Sequence, residues 1–199
     1  MSFVIFDTEF IADKGLYEEG FDGWKNREII QLAAVKVDEN LNVIDELNVY
    51  VKPFIHKEIS PYFVKITGIT NEKISQCAIS FPEAYKIFKN FAENQICYSH
   101  NWDFTTVNDA DGQVFRECLK IHNIDDNVSL NYQNIAPWFK DKYIENNIKI
   151  NKQASGEIAK LLGRDENILS LGLDAHNALY DVYSILEGLR YFNDYPITR

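Results

Sequence analysis

Hydrophobic and polar positions alternate between two periods along this chain, and the change of period marks its elements. Ser2 to Phe10 (SFVIFDTEF) is an apolar and β-branched run with no turn residue. It predicts a strand covered on both faces near the centre of a sheet. Ile29 to Val37 (IIQLAAVKV) and Val43 to Val51 predict a second and third strand, joined by the polar turn Asp38 to Asn42. Together the three make an antiparallel meander, which Pro53 ends. Between the first two strands, Ile11 to Arg27 carries three glycines, four acids and scattered aromatics without a period. Such a stretch is a long surface loop, of the kind that carries function.

Beyond the meander the period lengthens. Pro61 to Asn71 holds a short helix stopped near Gly68, and Ser80 with Pro82 marks the start of a longer one, where Tyr85, Phe88, Phe91 and Ala92 recur at helical spacing. Ile96 to Ser99 is a short buried strand. Asp111 to Ile121 is a helix with Val114, Phe115, Cys118 and Leu119 on one side. Val128 to Asn131 is expected as a strand, Ile135 to Tyr143 as a helix with Pro137 in its first turn, and 144 to 152 as a loop. Ala154 to Leu162 reads as a short helix stopped at Gly163. The last element, Asn177 to Phe192, packs through Ala178, Val182, Ile185, Leu186 and Leu189. Strand meander, helix, strand and further helices make an α/β domain with a mixed sheet, and 199 residues suit one domain spanning 1–199.

Composition narrows the class. No apolar run approaches the roughly 20 residues that span a bilayer and no basic leader precedes the first strand, so no membrane is involved and a cytoplasmic protein is expected. Cys77, Cys97 and Cys118 are odd in number and widely spaced, which suits free thiols in a reducing compartment. A net charge of −10 argues against a protein that coats long nucleic acid non-specifically by displacing phosphate counterions. It permits an enzyme whose acids hold divalent ions and thereby reverse the local charge.

The acids supply the chemistry. Alternation puts Phe3, Ile5, Asp7 and Glu9 on one face of the first strand. Two anions about 7 Å apart on an apolar strand repel and lose hydration unless a cation joins them. Hard oxygen ligands select Mg²⁺ or Mn²⁺. The alternative is that Glu9 lies in water past the strand end and Asp7 caps a neighbouring loop. His176 and Asp181 are the second pair; five residues apart on a continuous helix they would point about 140° from each other. His176 therefore stands at or just before the helix start and Asp181 in its second turn, unless Asp181 faces solvent. Asp103 falls beyond the Ile96 to Ser99 strand, where ligands of open sheets collect. Asp109 and Asp111 are rival carboxylates, read as capping the following helix. His100 is read as a hydrogen-bonded structural residue.

Asp7, Glu9, Asp103, His176 and Asp181 in this order resemble the three motifs of the DEDDh 3′-5′ exonucleases, and the subgroup most like this chain is that of the Eri-like exoribonucleases. F-D-T-E-F at Phe6 to Phe10, E-I-I-Q-L-A-A-V at Glu28 to Val35, Y-V-K-P at Tyr50 to Pro53, I-T-G-I-T at Ile66 to Thr70 and N-W-D at Asn101 to Asp103 carry the resemblance, which runs from Phe3 to about Phe192. It implies a ribonuclease H-like mixed sheet with antiparallel first three strands, flanked by helices. It implies two divalent ions held by Asp7, Glu9, Asp103 and Asp181, with His176 taking a proton from the attacking water. The substrate would be the 3′ end of single-stranded RNA or DNA, released as nucleoside 5′-monophosphates. Thr8 would meet a terminal ribose through its backbone N–H, and Phe10 and Trp24, with Tyr17 and Phe21, would stack terminal bases. Lys142, Lys149 and Lys152 are either phosphate guides or a solvated basic face. The competing readings are a catalytically silent module of the same fold and a phosphoesterase for dinucleotides or free nucleotides.

Overall fold

The computed structural model describes residues 2–12, 26–100, 110–125, 131–150, 154–174 and 177–196. Among the described residues six strands form one sheet: β1 (Ser2–Ile11), β2 (Glu28–Asp38), β3 (Val43–Lys52), β4 (Ile79–Ser80), β5 (Ile96–Ser99) and β6 (Asn131–Asn134), in the order β4-β3-β2-β1-β5-β6. β1 pairs antiparallel with β2, and β2 with β3, as the meander predicts. β5 joins the other edge of β1 in parallel, and β6 continues in parallel. β1 is thus interior to the sheet.

Alternation along β1 divides the core. Phe3 and Ile5, with Ala33, Val35 and Val37 of β2, pack on one face against α5 (Ala136–Glu145), α6 (Ile158–Leu161) and α8 (Ala178–Phe192). Val4 and Phe6, with Leu32 and Ala34, pack on the other against α3 (Phe81–Phe91) and α4 (Ala110–Ile121). Asp7 and Glu9 continue the row of Phe3 and Ile5, so they emerge on the face that carries α8. A smaller cluster sets Ile11 and Ile30 against α1 (Pro61–Thr67) and α2 (Asn71–Cys77). The remaining helix, α7 (Asp165–Leu169), packs Ile168 against Ala159 and Tyr180. Among the described residues no helix is long and apolar enough to cross a membrane.

Several expectations move. Of the strand expected at Val128 to Asn131, Val128 to Leu130 lie outside the described residues, and Asn131 falls in β6, Asn131–Asn134. Asn131, Gln133 and Asn134 are polar while Tyr132 sets its ring against Phe6 and Phe115, and backbone pairing with β5 rather than an apolar run makes β6 a strand. The helix expected over Ala154 to Leu162 is a single 3-10 turn, Ser155–Glu157, followed by the one-turn α6. α2 and α7 had no predicted counterpart, each being too short for a helical period to show. Gly68 and Gly163 do end their helices in the left-handed region, with φ of 69° and 65°.

α8 lies close to its neighbours because Gly188 has no side chain. A Cβ there would stand 2.6 Å from Ile158 Cγ2 and 2.6 Å from the Phe139 ring, both buried. Exchanging a helical glycine for alanine ordinarily stabilises by up to about 1 kcal/mol, but here the overlap decides the sign. Gly188→Ala is expected to destabilise by about 1–3 kcal/mol, read as a lower urea midpoint at unchanged slope.

Candidate active site

Four carboxylates from three elements converge at the carboxyl end of β1. Asp7 is 7 % exposed and lies opposite Ala33 of β2; Glu9 lies opposite Gln31, just before an irregularity in the pairing. Such irregularities re-aim side chains beside active sites. Asp181 comes from the first turn of α8. The fourth, Asp111, is buried in the first turn of α4 and reaches back to β1, accepting from the Thr8 backbone N–H at 3.2 Å and from the Thr8 hydroxyl. Asp111 was expected as a helix cap; instead its carboxylate is turned to the strand that carries Asp7 and Glu9.

Their charges act on one another. Burial pushes the Asp7 carboxyl well above its ordinary 3.8, and the charges of Asp111, Asp181 and Glu9 push it further, against a lowering bond from Ser155. Glu9 is likewise raised well above 4.5, first by burial and then by Asp181 and Asp111. Other buried acids of this protein are compensated. Glu28 accepts backbone N–H bonds from Phe54, Ile55 and His56 and a contact from the His56 ring at 2.7 Å. Glu187 is bonded by Arg164, Asn167 and Arg190 at 2.7–2.8 Å. Asp7 and Glu9 instead face other acids, which is the arrangement a cation relieves.

The α8 start is tied to the sheet by a residue without solvent exposure. Gln31 donates from Nε2 to Asn48 (2.9 Å) and to Asn177 (3.0 Å), and its Oε1 accepts from the Ala178 backbone N–H (3.2 Å). Asn177 caps the helix by accepting from Leu179 N–H at 3.0 Å. Asp181 is thereby set at a fixed height over β1. Ser155 completes the site from the 3-10 turn, its hydroxyl donating to Asp181 Oδ2 at 2.7 Å and approaching Asp7 Oδ1 at 3.4 Å. Pattern reading did not find Ser155, which lies in a segment expected to be an ordinary helix.

The structure therefore brings Asp7, Glu9 and Asp181 together, while Asp103, His176 and Trp24 lie outside the described residues. Thr8 is engaged with Asp111, and Phe10 is half-buried under the Arg27 guanidinium, 5.0 Å from its ring centroid. His100 is buried edge-on to Phe139, and burial pushes its pKa down to about 4, which suits the structural role. Lys142 is committed to Asp194 at 2.8 Å rather than held out for a phosphate.

The donor set, all carboxylate oxygen, fits a hard divalent cation. Among the described residues no group of three or more acids, histidines or cysteines is already spaced to hold a metal ion. Asp181 is hydrogen-bonded to Ser155, and Asp111 to Thr8, so an ion bound here would share these carboxylates with protein donors.

A family model described as exonuclease, RNase T, matches residues 4–189. No curated protein sequence matches the chain. Among solved structures it is similar to the cell-death related nuclease 4 (TM-score 0.70, 20 % identity, 96 % of this chain and 64 % of that one). It is also similar to the nuclease domain of 3′hExo, a DEDDh family member bound to rAMP (0.65, 16 %, 96 % and 92 %). A third is E. coli exonuclease I in complex with a dA16 oligonucleotide (0.68, 18 %, 96 % and 40 %). The chain thus spans under two thirds of the first and the last of these proteins. The shared mixed sheet is the ribonuclease H-like exonuclease fold expected from the motifs.

Proposed function

Because this chain belongs to the exonuclease family whose model matches residues 4–189, we propose that it is a DEDDh-type, metal-dependent 3′-5′ exonuclease of the reducing cytoplasm, working as one domain. It acts on RNA or short single-stranded DNA and releases nucleoside 5′-monophosphates. One observation carries the reading: buried Asp7 and half-buried Glu9 share the end of β1 with Asp181 and Asp111, so that each added carboxylate raises the proton affinity of the first two. That arrangement is unfavourable for a merely structural site and serves a site that takes up cations. Burial also pushes the thiols of Cys97 and Cys118 up to about 12, leaving them inert.

Asp7, Glu9 and Asp181 hold the ions. The motif order points to Asp103 for the fourth carboxylate, and the geometry favours Asp111, which faces the other three; we assign the place to Asp111. Two divalent ions, Mg²⁺ or Mn²⁺, would supply charge stabilisation for the attacking and leaving oxygens when bound there. His176 takes the proton of the attacking water, a role its near-neutral ordinary pKa suits. Thr8 holds Asp111, and its N–H becomes available to a terminal ribose when that bond opens. Phe10 and Trp24 stack terminal bases.

The test uses 5′-labelled single-stranded RNA and DNA in Mg²⁺ or Mn²⁺, with EDTA and His176→Ala as controls. A ladder shortening from the 3′ end, lost in both controls, is expected. Cleavage confined to dinucleotides would point to the phosphoesterase reading. Metal binding without cleavage of any substrate would point to a silent module. In the same assay Asp111→Asn is expected to lose activity by about 10²-fold or more, as when a preorganised electrostatic group is removed, and Asp103→Asn by much less. The reverse order would return the fourth place to Asp103.

A further inference from the structure

Ser155 is placed to do more than fill space. Its hydroxyl donates to Asp181 Oδ2 at 2.7 Å, with Asp7 Oδ1 3.4 Å away, so one buried donor stands between two acids from different elements. The position of the donor is itself fixed. The Ser155 carbonyl accepts from the hydroxyl of Ser184 at 2.7 Å, and that hydroxyl accepts from the Ala159 backbone N–H at 3.0 Å. Ser184 is fully buried on α8, three residues after Asp181. The helix that presents Asp181 therefore also clamps the turn that orients it. The next residue is Gly156, whose missing side chain leaves room for Asp181 Oδ1. Both oxygens of Asp181 thus bear on the same two residues.

We propose that Ser155 is a positioning residue for the metal site, fixing the Asp181 carboxylate by its hydroxyl so that one oxygen is presented to the cation while the other keeps the Ser155 bond. This rests on the nuclease reading above. A carboxylate has about four acceptor sites, so a hydroxyl and a metal ion can share it. Holding the carboxylate in one rotamer removes the ordering cost that ion binding would otherwise carry. Partners that hydrogen-bond to a metal ligand typically account for about 10–100-fold in metal affinity. The hydroxyl also offsets part of the repulsion between Asp7 and Asp181 before an ion arrives.

The test is Mn²⁺ binding by calorimetry to the whole protein, comparing wild type, Ser155→Ala and Ser155→Thr, with melting of each in EDTA. Ser155→Ala is expected to weaken Mn²⁺ binding by about 10-fold or more, and Ser155→Thr, which keeps the hydroxyl, to restore most of it. The Mn²⁺ concentration giving half-maximal hydrolysis should rise by the same factor in Ser155→Ala, while the rate at saturating Mn²⁺ changes much less. A merely structural serine would instead lower the saturated rate and the melting temperature together. Equal Mn²⁺ affinity in wild type and Ser155→Ala overturns the positioning role and leaves the nuclease reading intact. Absence of Mn²⁺ binding by the wild type overturns both.

Discussion

Asp7→Asn is expected to abolish hydrolysis, by about 10²–10³-fold or more, and at the same time to raise the melting temperature in EDTA. The two effects have one cause. Asp7 is buried among carboxylates that the fold sets against it, so it is costly without a cation and needed with one. Removing its charge relieves the cluster; if about 1 kcal/mol is recovered, a chain of this size gains about 2–4 °C. The pH dependence follows with a definite sign. Asp7 and Glu9 have folded pKa values raised above 3.8 and 4.5, so the native state holds protons that the unfolded chain has released. Their contribution to stability is fully present below those ordinary values and is lost as the pH rises through the raised ones. Metal-free wild type should therefore melt lower as the pH rises from about 5 to about 8. Asp7→Asn should flatten that slope, and Mn²⁺ should remove it in the wild type. A wild-type melting temperature in EDTA that climbs over this range would contradict the clustered acids.

Gly156→Ala is expected to inactivate the protein with little loss of fold. A Cβ at Gly156 would stand 2.5 Å from Asp181 Oδ1 and 3.2 Å from its Cγ. The carboxylate must turn away, since the added methyl belongs to a turn clamped by Ser184. Misplacing a reacting group by about 1 Å can cost 10²-fold in rate, and the displaced group here is also a metal ligand. The expected result is a fall in kcat/KM of about 10²-fold, with weakened Mn²⁺ binding and an unchanged near-ultraviolet dichroism spectrum. Activity within a few-fold of wild type would mean that Asp181 has room to spare and is not held as described. The contrast with Gly188→Ala is instructive: the same chemical change there meets Phe139 and Ile158, and stability rather than chemistry should suffer.

The parts of this fold that local pattern dictates were legible. Alternation along Ser2 to Phe10 put Asp7 and Glu9 on one face, and that face is the one α8 covers. The β1-β2-β3 meander and the long α8 followed from apolar runs and a period that extends over many residues. What pattern could not show is which distant segment comes to the end of β1. Asp111 meets Thr8 across 103 positions of sequence, and Ser155 meets Asp7 across 148. Nothing in D-A-D-G or A-S-G-E states those distances, and Asp109 and Asp111 look locally like helix caps. The segment at 154–162 misled for a related reason: its apolar spacing suits a helix, but the bonds to Asp181 and Ser184 hold its start as a tighter turn. β6 was not legible over Tyr132 to Asn134 because edge pairing with β5, not an apolar run of its own, makes it a strand.

On this reading the acids at the end of β1 form a metal centre. Its most direct test is a crystal of the wild-type protein soaked in Mn²⁺, with anomalous difference maps at the manganese edge. Peaks bounded by Asp7, Glu9, Asp181 and Asp111, with the Ser155 hydroxyl still on Asp181, are the predicted result. Maps featureless among these carboxylates at millimolar Mn²⁺ would contradict the account.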